Sequence, residues 1–122
     1  MSIDGISLVS IPVSDQEAAK AYYRDALGFE VVADAQFEPG RRWVQLTPPG
    51  SATSIALVTW FDAAQPGSQQ GLVLGTSDID ADYELLAARG VVFRGGIQSA
   101  PWGRFAGFDD PDGNGWVLRG DA

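Results

Sequence analysis

Apolar and polar residues recur along this chain with two periods, and the switches between them mark its elements. From Ile6 to Val13 the period is two. Ile6, Leu8, Ser10 and Pro12 fall on one face, and Ser7, Val9, Ile11 and Val13 on the other. Both faces are largely apolar, as in an inner strand, with Pro12 near its end or at an unpaired position. The period lengthens at Ser14-Asp15-Gln16-Glu17, which reads as a capping box: Ser14 accepts from the Glu17 N–H and the Glu17 carboxylate reaches back. Ala18, Ala21, Tyr22, Ala26 and Leu27 form the helix's apolar stripe, and Gly28 ends it in the left-handed conformation. Strands are predicted over 29–33, 42–47 and 54–61, separated by turns at Glu38-Pro39-Gly40 and Pro48-Pro49-Gly50-Ser51. In the last strand Ala56, Val58 and Trp60 oppose Ile55, Leu57, Thr59 and Phe61. Residues 63–70, with Pro66-Gly67, read as a connection.

The pattern then restarts. A strand is predicted over 71–76 and a second helix capped by Ser77 or Asp78, carrying Ile79, Tyr83, Leu86 and Ala87 and ended by Gly90. Val91-Val92-Phe93 reads as a strand, 97–100 as a short extended piece, and 104–108 with 115–119 as a hairpin. The hairpin turn, Asp110-Pro111-Asp112-Gly113-Asn114, presets φ at its proline and tolerates positive φ at glycine or asparagine. Asp15 precedes Gly28 by 13 positions and Asp78 precedes Gly90 by 12, so the halves share a register. Each is β-α-β-β-β: a curved sheet with one helix on its outer face. The expected fold is therefore α+β, with one domain over 1–122 built from a module at about 5–62 and another at about 70–120. The two sheets can face each other around a shared cavity.

Composition narrows the chemistry. A hydrophobic fraction of 45% in 122 residues is enough for a core. No basic, apolar leader opens the chain and no apolar run reaches membrane length, so a cytoplasmic protein without membrane contact is expected. There is no cysteine and no histidine. That removes thiol and imidazole nucleophiles, imidazole acid–base catalysis and every nitrogen or sulfur metal ligand of the usual kind. The net charge of −8 disfavours nucleic acid as a partner and favours a neutral or cationic small ligand.

Four segments carry a family resemblance: Val9-Ser10-Ile11-Pro12-Val13-Ser14-Asp15; Ala21-Tyr22-Tyr23-Arg24-Asp25-Ala26-Leu27-Gly28-Phe29; Ser77-Asp78-Ile79-Asp80-Ala81-Asp82-Tyr83 with Ala88-Arg89-Gly90-Val91; and Asp110-Pro111-Asp112-Gly113-Asn114. Through them the chain resembles the vicinal oxygen chelate superfamily, which groups glyoxalases, bleomycin resistance proteins and extradiol dioxygenases. The resemblance implies mostly antiparallel sheets, and in the family's enzymes a divalent metal held from four strands. Carried over singly, those ligand positions are Leu8, Ala56, Gly71 and Val117, and none has a donor side chain. No metal, other cofactor or catalytic residue is therefore expected.

The resemblance also implies what the cavity does without a metal: it sequesters drugs, in homodimers with aromatic and acidic groove walls. Parity along the strands turns Leu8, Ala56, Val58, Trp60 and Val117 inward and Trp116 under a helix. Trp102, in Pro101-Trp102-Gly103, and Trp43, on the face of Gln45 and Thr47, are the other aromatic candidates, with Phe37 and Phe61 at the rim. The expected ligand site is Leu8, Trp43, Ala56, Trp60, Trp102 and Val117. Arg42, Arg104 and Glu38 are candidate polar anchors. The first reading is a metal-independent protein that sequesters an aromatic or cationic metabolite or antibiotic and confers antibiotic resistance. Two alternatives stand beside it. One is a metal-independent isomerase, cyclase or lyase using Glu30, Glu38, Asp109, Asp110 or Tyr22. The other is a structural or regulatory subunit with a filled cavity. Whether the modules close within one chain or swap across a dimer stays open at this level.

Overall fold

The computed structural model describes residues 1–121. Its elements run β1 (Leu8–Pro12), α1 (Gln16–Ala21, continued by a π-helical turn, Tyr22–Ala26), β2 (Glu30–Glu38), β3 (Arg41–Thr47), β4 (Ser54–Val58), β5 (Leu72–Gly75), α2 (Ile79–Ala88), β6 (Gln98–Ala100), β7 (Gly103–Asp109) and β8 (Gly115–Gly120). Two four-stranded sheets form, ordered β1-β4-β3-β2 and β5-β8-β7-β6. In each, the first pair is parallel and the other two are antiparallel. The α+β fold of two βαβββ modules is as expected from sequence.

Each sheet is two-faced. Register places Val9, Ile11, Val44, Leu46, Ile55 and Leu57 on one side of the first sheet. In the second sheet Leu72, Leu74, Ala106, Phe108, Trp116 and Leu118 share a side. These inner faces, Ala106 apart, make one hydrophobic cluster drawn from both modules with Ala19, Tyr23, Ala26 and Phe29 from the first helix region and Ile79 and Leu86 from α2. Tyr23 and Phe29 lie 5.9 and 6.2 Å from the Trp116 ring, so aromatic edges bridge the modules. By alternation the opposite faces of both sheets point away from this core.

Four local expectations change. Asp15, not Ser14, caps α1, accepting from the Glu17 and Ala18 N–H groups. Ser14 instead donates through its hydroxyl and its N–H to Asp112 in the closing turn. The buried stripe moves with the cap, to Ala19, Tyr23 and Ala26. The strand predicted over 54–61 stops at Val58, opposite Pro12, where β1 itself ends. The strand predicted at Val91-Val92-Phe93 is a single bridge, Phe93 to Phe108. Val91 turns into the core while Val92 is fully outside it, and the edge position passes to β6.

The modules are also joined by a buried polar network. The Asp110 carboxylate accepts from Tyr23 Oη (2.7 Å), Asn114 Nδ2 (2.8 Å) and the N–H groups of Asn114 (2.8 Å) and Asp112 (3.0 Å). Asn114 also donates to the Pro12 carbonyl and accepts from the Gln69 N–H, reaching β1 and the connection between modules. Trp116 Nε1 donates to Tyr23 Oη. Burial, then the charge and hydrogen bond of Asp110, hold the Tyr23 phenol far above its usual range, so it remains a donor.

Candidate ligand-binding site

The outward faces hold the sequence's candidate residues in two groups. On the first sheet, Leu8 and Ser10 on β1, Ala56 and Val58 on β4 and Trp43 and Gln45 on β3 share the side away from the core, where Ala56 and Val58 are nevertheless fully covered. Trp43 donates its indole N–H to Gln45 Oε1 at 3.0 Å, which fixes its ring. Trp60, just beyond β4, lies 6.3 Å from Trp43 at an interplanar angle of 31°. Phe37, from the end of β2, meets both edge-on at 6.2 and 5.5 Å, and Phe61 lies 6.0 Å from Trp60. Four aromatic rings thus form one cluster outside the hydrophobic core, and Phe37 and Phe61 remain about half exposed.

On the second sheet, Val73, Phe105, Gly107, Val117 and Arg119 share the open side. Trp102, in the turn before β7, stacks on Phe105 with centroids 5.1 Å apart and is 51% exposed. Arg119 lies over the other part of this wall, 5.1 Å from the Trp102 ring centroid, and donates to the Trp102 carbonyl at 3.1 Å. Val73, Trp102, Val117 and Arg119 line a half-open cavity of about 370 Å³. Trp116 is buried on the inner face, as alternation requires for the neighbour of Val117.

Six sequence candidates are therefore sorted by sheet. Leu8, Trp43, Ala56 and Trp60 lie on the first, and Trp102 and Val117 on the second. The positions where the family's enzymes place metal ligands hold Leu8 and Val117, both partly exposed, Ala56, which is fully buried, and Gly71 just before β5. They offer no oxygen, nitrogen or sulfur side-chain donor, so the donor set does not fit a divalent ion.

The polar anchors suggested by sequence are engaged elsewhere. Arg42 forms ion pairs with Asp34 and Glu17, Arg104 with Asp80, and Glu38 with Arg41. Asp110 is consumed by the joint between modules. Arg94 reaches over Gly107 to pair with Asp109, and a Cβ at Gly107 would collide with its guanidinium. Sequence reasoning missed Arg94 and Arg119, whose roles depend on partners across strands and loops.

A second hollow, about 380 Å³, is lined by Tyr22, Gly90, Val92, Phe93, Arg94, Asp109, Asp110 and Pro111. The Tyr22 hydroxyl is buried there without a protein partner. Burial first, then the charges of Asp110 and Asp109, push its pKa up to about 12. The phenol is thus protonated at neutral pH and cannot serve as a resting general base.

Residues 5–118 match the family described as the Glyoxalase/Bleomycin resistance protein/Dioxygenase superfamily. The chain is similar to TnmS3, an antibiotic binding protein from Streptomyces sp. CB03234, with 47% identity, a TM-score of 0.93, and 100% of this chain and 99% of that one covered. It is also similar to a member of the glyoxalase/bleomycin resistance protein/dioxygenase superfamily from Sphaerobacter thermophilus, at 38% identity and a TM-score of 0.91 over 99% and 100% of the two chains. The protein YetH of Bacillus subtilis is 34% identical over 96% of this chain and 98% of its own. No helix among the described residues is long and apolar enough to cross a membrane. By sequence and by structure, the chain belongs to the Glyoxalase/Bleomycin resistance protein/Dioxygenase superfamily.

Proposed function

We propose that this protein binds and sequesters an aromatic small molecule, of the antibiotic or secondary-metabolite class, without a metal and without transforming it. The observation that carries this is the Phe37-Trp43-Trp60-Phe61 cluster on the open face of the first sheet. Core aromatics face the helices in this fold; these face away. Rigid rings supply contact area at low entropic cost and stack on planar ligands. The similarity to an antibiotic binding protein over the full length supports the same reading. Leu8 and Val117 then act as flat apolar floor, with Ala56 packed beneath it, and Trp43, Trp60 and Trp102 as walls.

The two open faces belong to different sheets and both turn outward from the shared core. A homodimer solves both problems at once: the first sheet of one copy covers the second sheet of its partner, and the ligand lies between them. The exposed Phe37, Phe61, Val73 and Trp102 gain cover by the same step.

Titration of planar aromatic antibiotics into the protein, followed by tryptophan fluorescence and melting temperature, tests the proposal. Saturable quenching with a raised Tm is expected, unchanged by prior treatment with a chelator. Trp43→Phe and Trp60→Phe should each reduce quenching and weaken binding by about 1 kcal/mol, as for lost aromatic stacking. No quenching and no Tm shift across the panel would overturn it.

A further inference from the structure

The open face of the second sheet carries a charge that the chain's own pairing leaves exposed. The chain has eight basic residues. Lys20, Arg24, Arg41, Arg42, Arg94 and Arg104 each lie within ion-pair distance of a carboxylate. Among the described residues, Arg89 and Arg119 do not. Arg89 sits at the C-terminal cap of α2, where a cation complements the helix carbonyls. Arg119 has no such explanation. It is on β8, on the open face, beside Val117 and over Trp102.

The placement runs against the overall charge of −8. Within a screening length, local groups and not the net charge decide what a site accepts. The other cation on this face, Arg94, is matched by Asp109. Arg119 spends one donor on the Trp102 carbonyl and stacks on the indole, which holds the guanidinium still. Its remaining N–H donors border the cavity shared with Val73, Trp102 and Val117. A planar guanidinium in this setting suits a bidentate oxyanion better than any neutral group.

Building on the aromatic-ligand reading, we infer that Arg119 is the specificity-determining residue of the site and selects aromatic ligands bearing an acidic oxygen group, such as a carboxylate, sulfonate or ionised phenol. The aromatic rings supply affinity; Arg119 supplies the choice among aromatic compounds and fixes which end of the ligand meets the second sheet. Cationic aromatics are disfavoured there.

Two fluorescent probes that differ by one sulfonate test this: 8-anilinonaphthalene-1-sulfonate and the neutral N-phenyl-1-naphthylamine. The native protein should bind the sulfonate about tenfold more tightly, as expected for a charge-assisted contact in a partly covered site. That ratio should fall as salt is raised. Arg119→Gln should bring it near one, whatever happens to the two affinities separately. Arg89→Gln makes the same change in net charge away from the face and should leave the ratio intact. If both probes bind equally well to the native protein, or if Arg119→Gln leaves the ratio unchanged, the inference is overturned while the aromatic site stands. If neither probe binds, the aromatic-ligand reading fails and this inference fails with it.

Discussion

Asn114 shows how much one side chain can carry. It is fully buried, and its amide meets the Pro12 carbonyl, the Gln69 N–H and the Asp110 carboxylate together. One amide thus links β1, the connection between modules and the closing turn. Asn114→Ala would leave the Gln69 N–H without its acceptor, the Pro12 carbonyl with only the 3.3 Å bond from the Gly67 N–H, and a buried carboxylate short of one donor. A loss of about 2–4 kcal/mol is expected from such orphaned groups, read as a lower midpoint in urea unfolding. A loss under about 0.5 kcal/mol, within the range of surface substitutions, would mean that the joint is not what holds the modules together.

Elements here are pinned by contacts that sequence spacing does not show. The edge strand β2 is largely exposed, and Asp34 ties it down through a bidentate pair with Arg42 and a bond from Lys20, all at 2.7 Å. The hydrogen bonds from Arg42, then Lys20, hold the Asp34 carboxyl well below its ordinary value of 3.8. A carboxylate depressed on folding stabilises fully above its unfolded pKa and loses that contribution as pH falls through the folded one. Native protein should therefore exceed Asp34→Asn by about 1 kcal/mol at about pH 6, with the gap closing as the solution is taken below about pH 4. Urea titrations at a series of pH values measure it; a gap that persists at low pH would assign the effect to packing instead.

The same contrast explains what sequence could reveal. Strand alternation is local, so it separated Val117 from Trp116 and Ala56 from Leu57 without a structure. The helix cap was misplaced by one residue because the Ser14 hydroxyl is taken by Asp112, 98 positions away. Asp110 reads as a candidate acid from sequence because its bond from Tyr23, 87 positions away, does not show in local spacing. Arg119 was invisible for the converse reason: its significance lies in having no carboxylate within ion-pair distance among the described residues, Asp109 on the same face being paired with Arg94.

For the whole molecule, two outward apolar faces predict self-association. Sedimentation velocity at micromolar concentration should give the mass of two chains. Val73→Arg, on the open face and already 55% exposed, should shift the population toward one chain while leaving the circular dichroism spectrum and inner-core stability in place. A single-chain mass for the native protein at every concentration would remove the dimer from the proposed function.

The two-sidedness of the strands has a consequence for descent. Alternate residues build the fold, and many of those between them lie on the faces proposed to meet a ligand. Substitutions at Trp43, Trp60, Trp102 or Arg119 touch neither the inner cluster nor the Asp110–Asn114 joint. If those faces bind as proposed, a lineage can exchange the compound it recognises through a few changes on one side of each sheet, while inheriting its means of folding unaltered on the other.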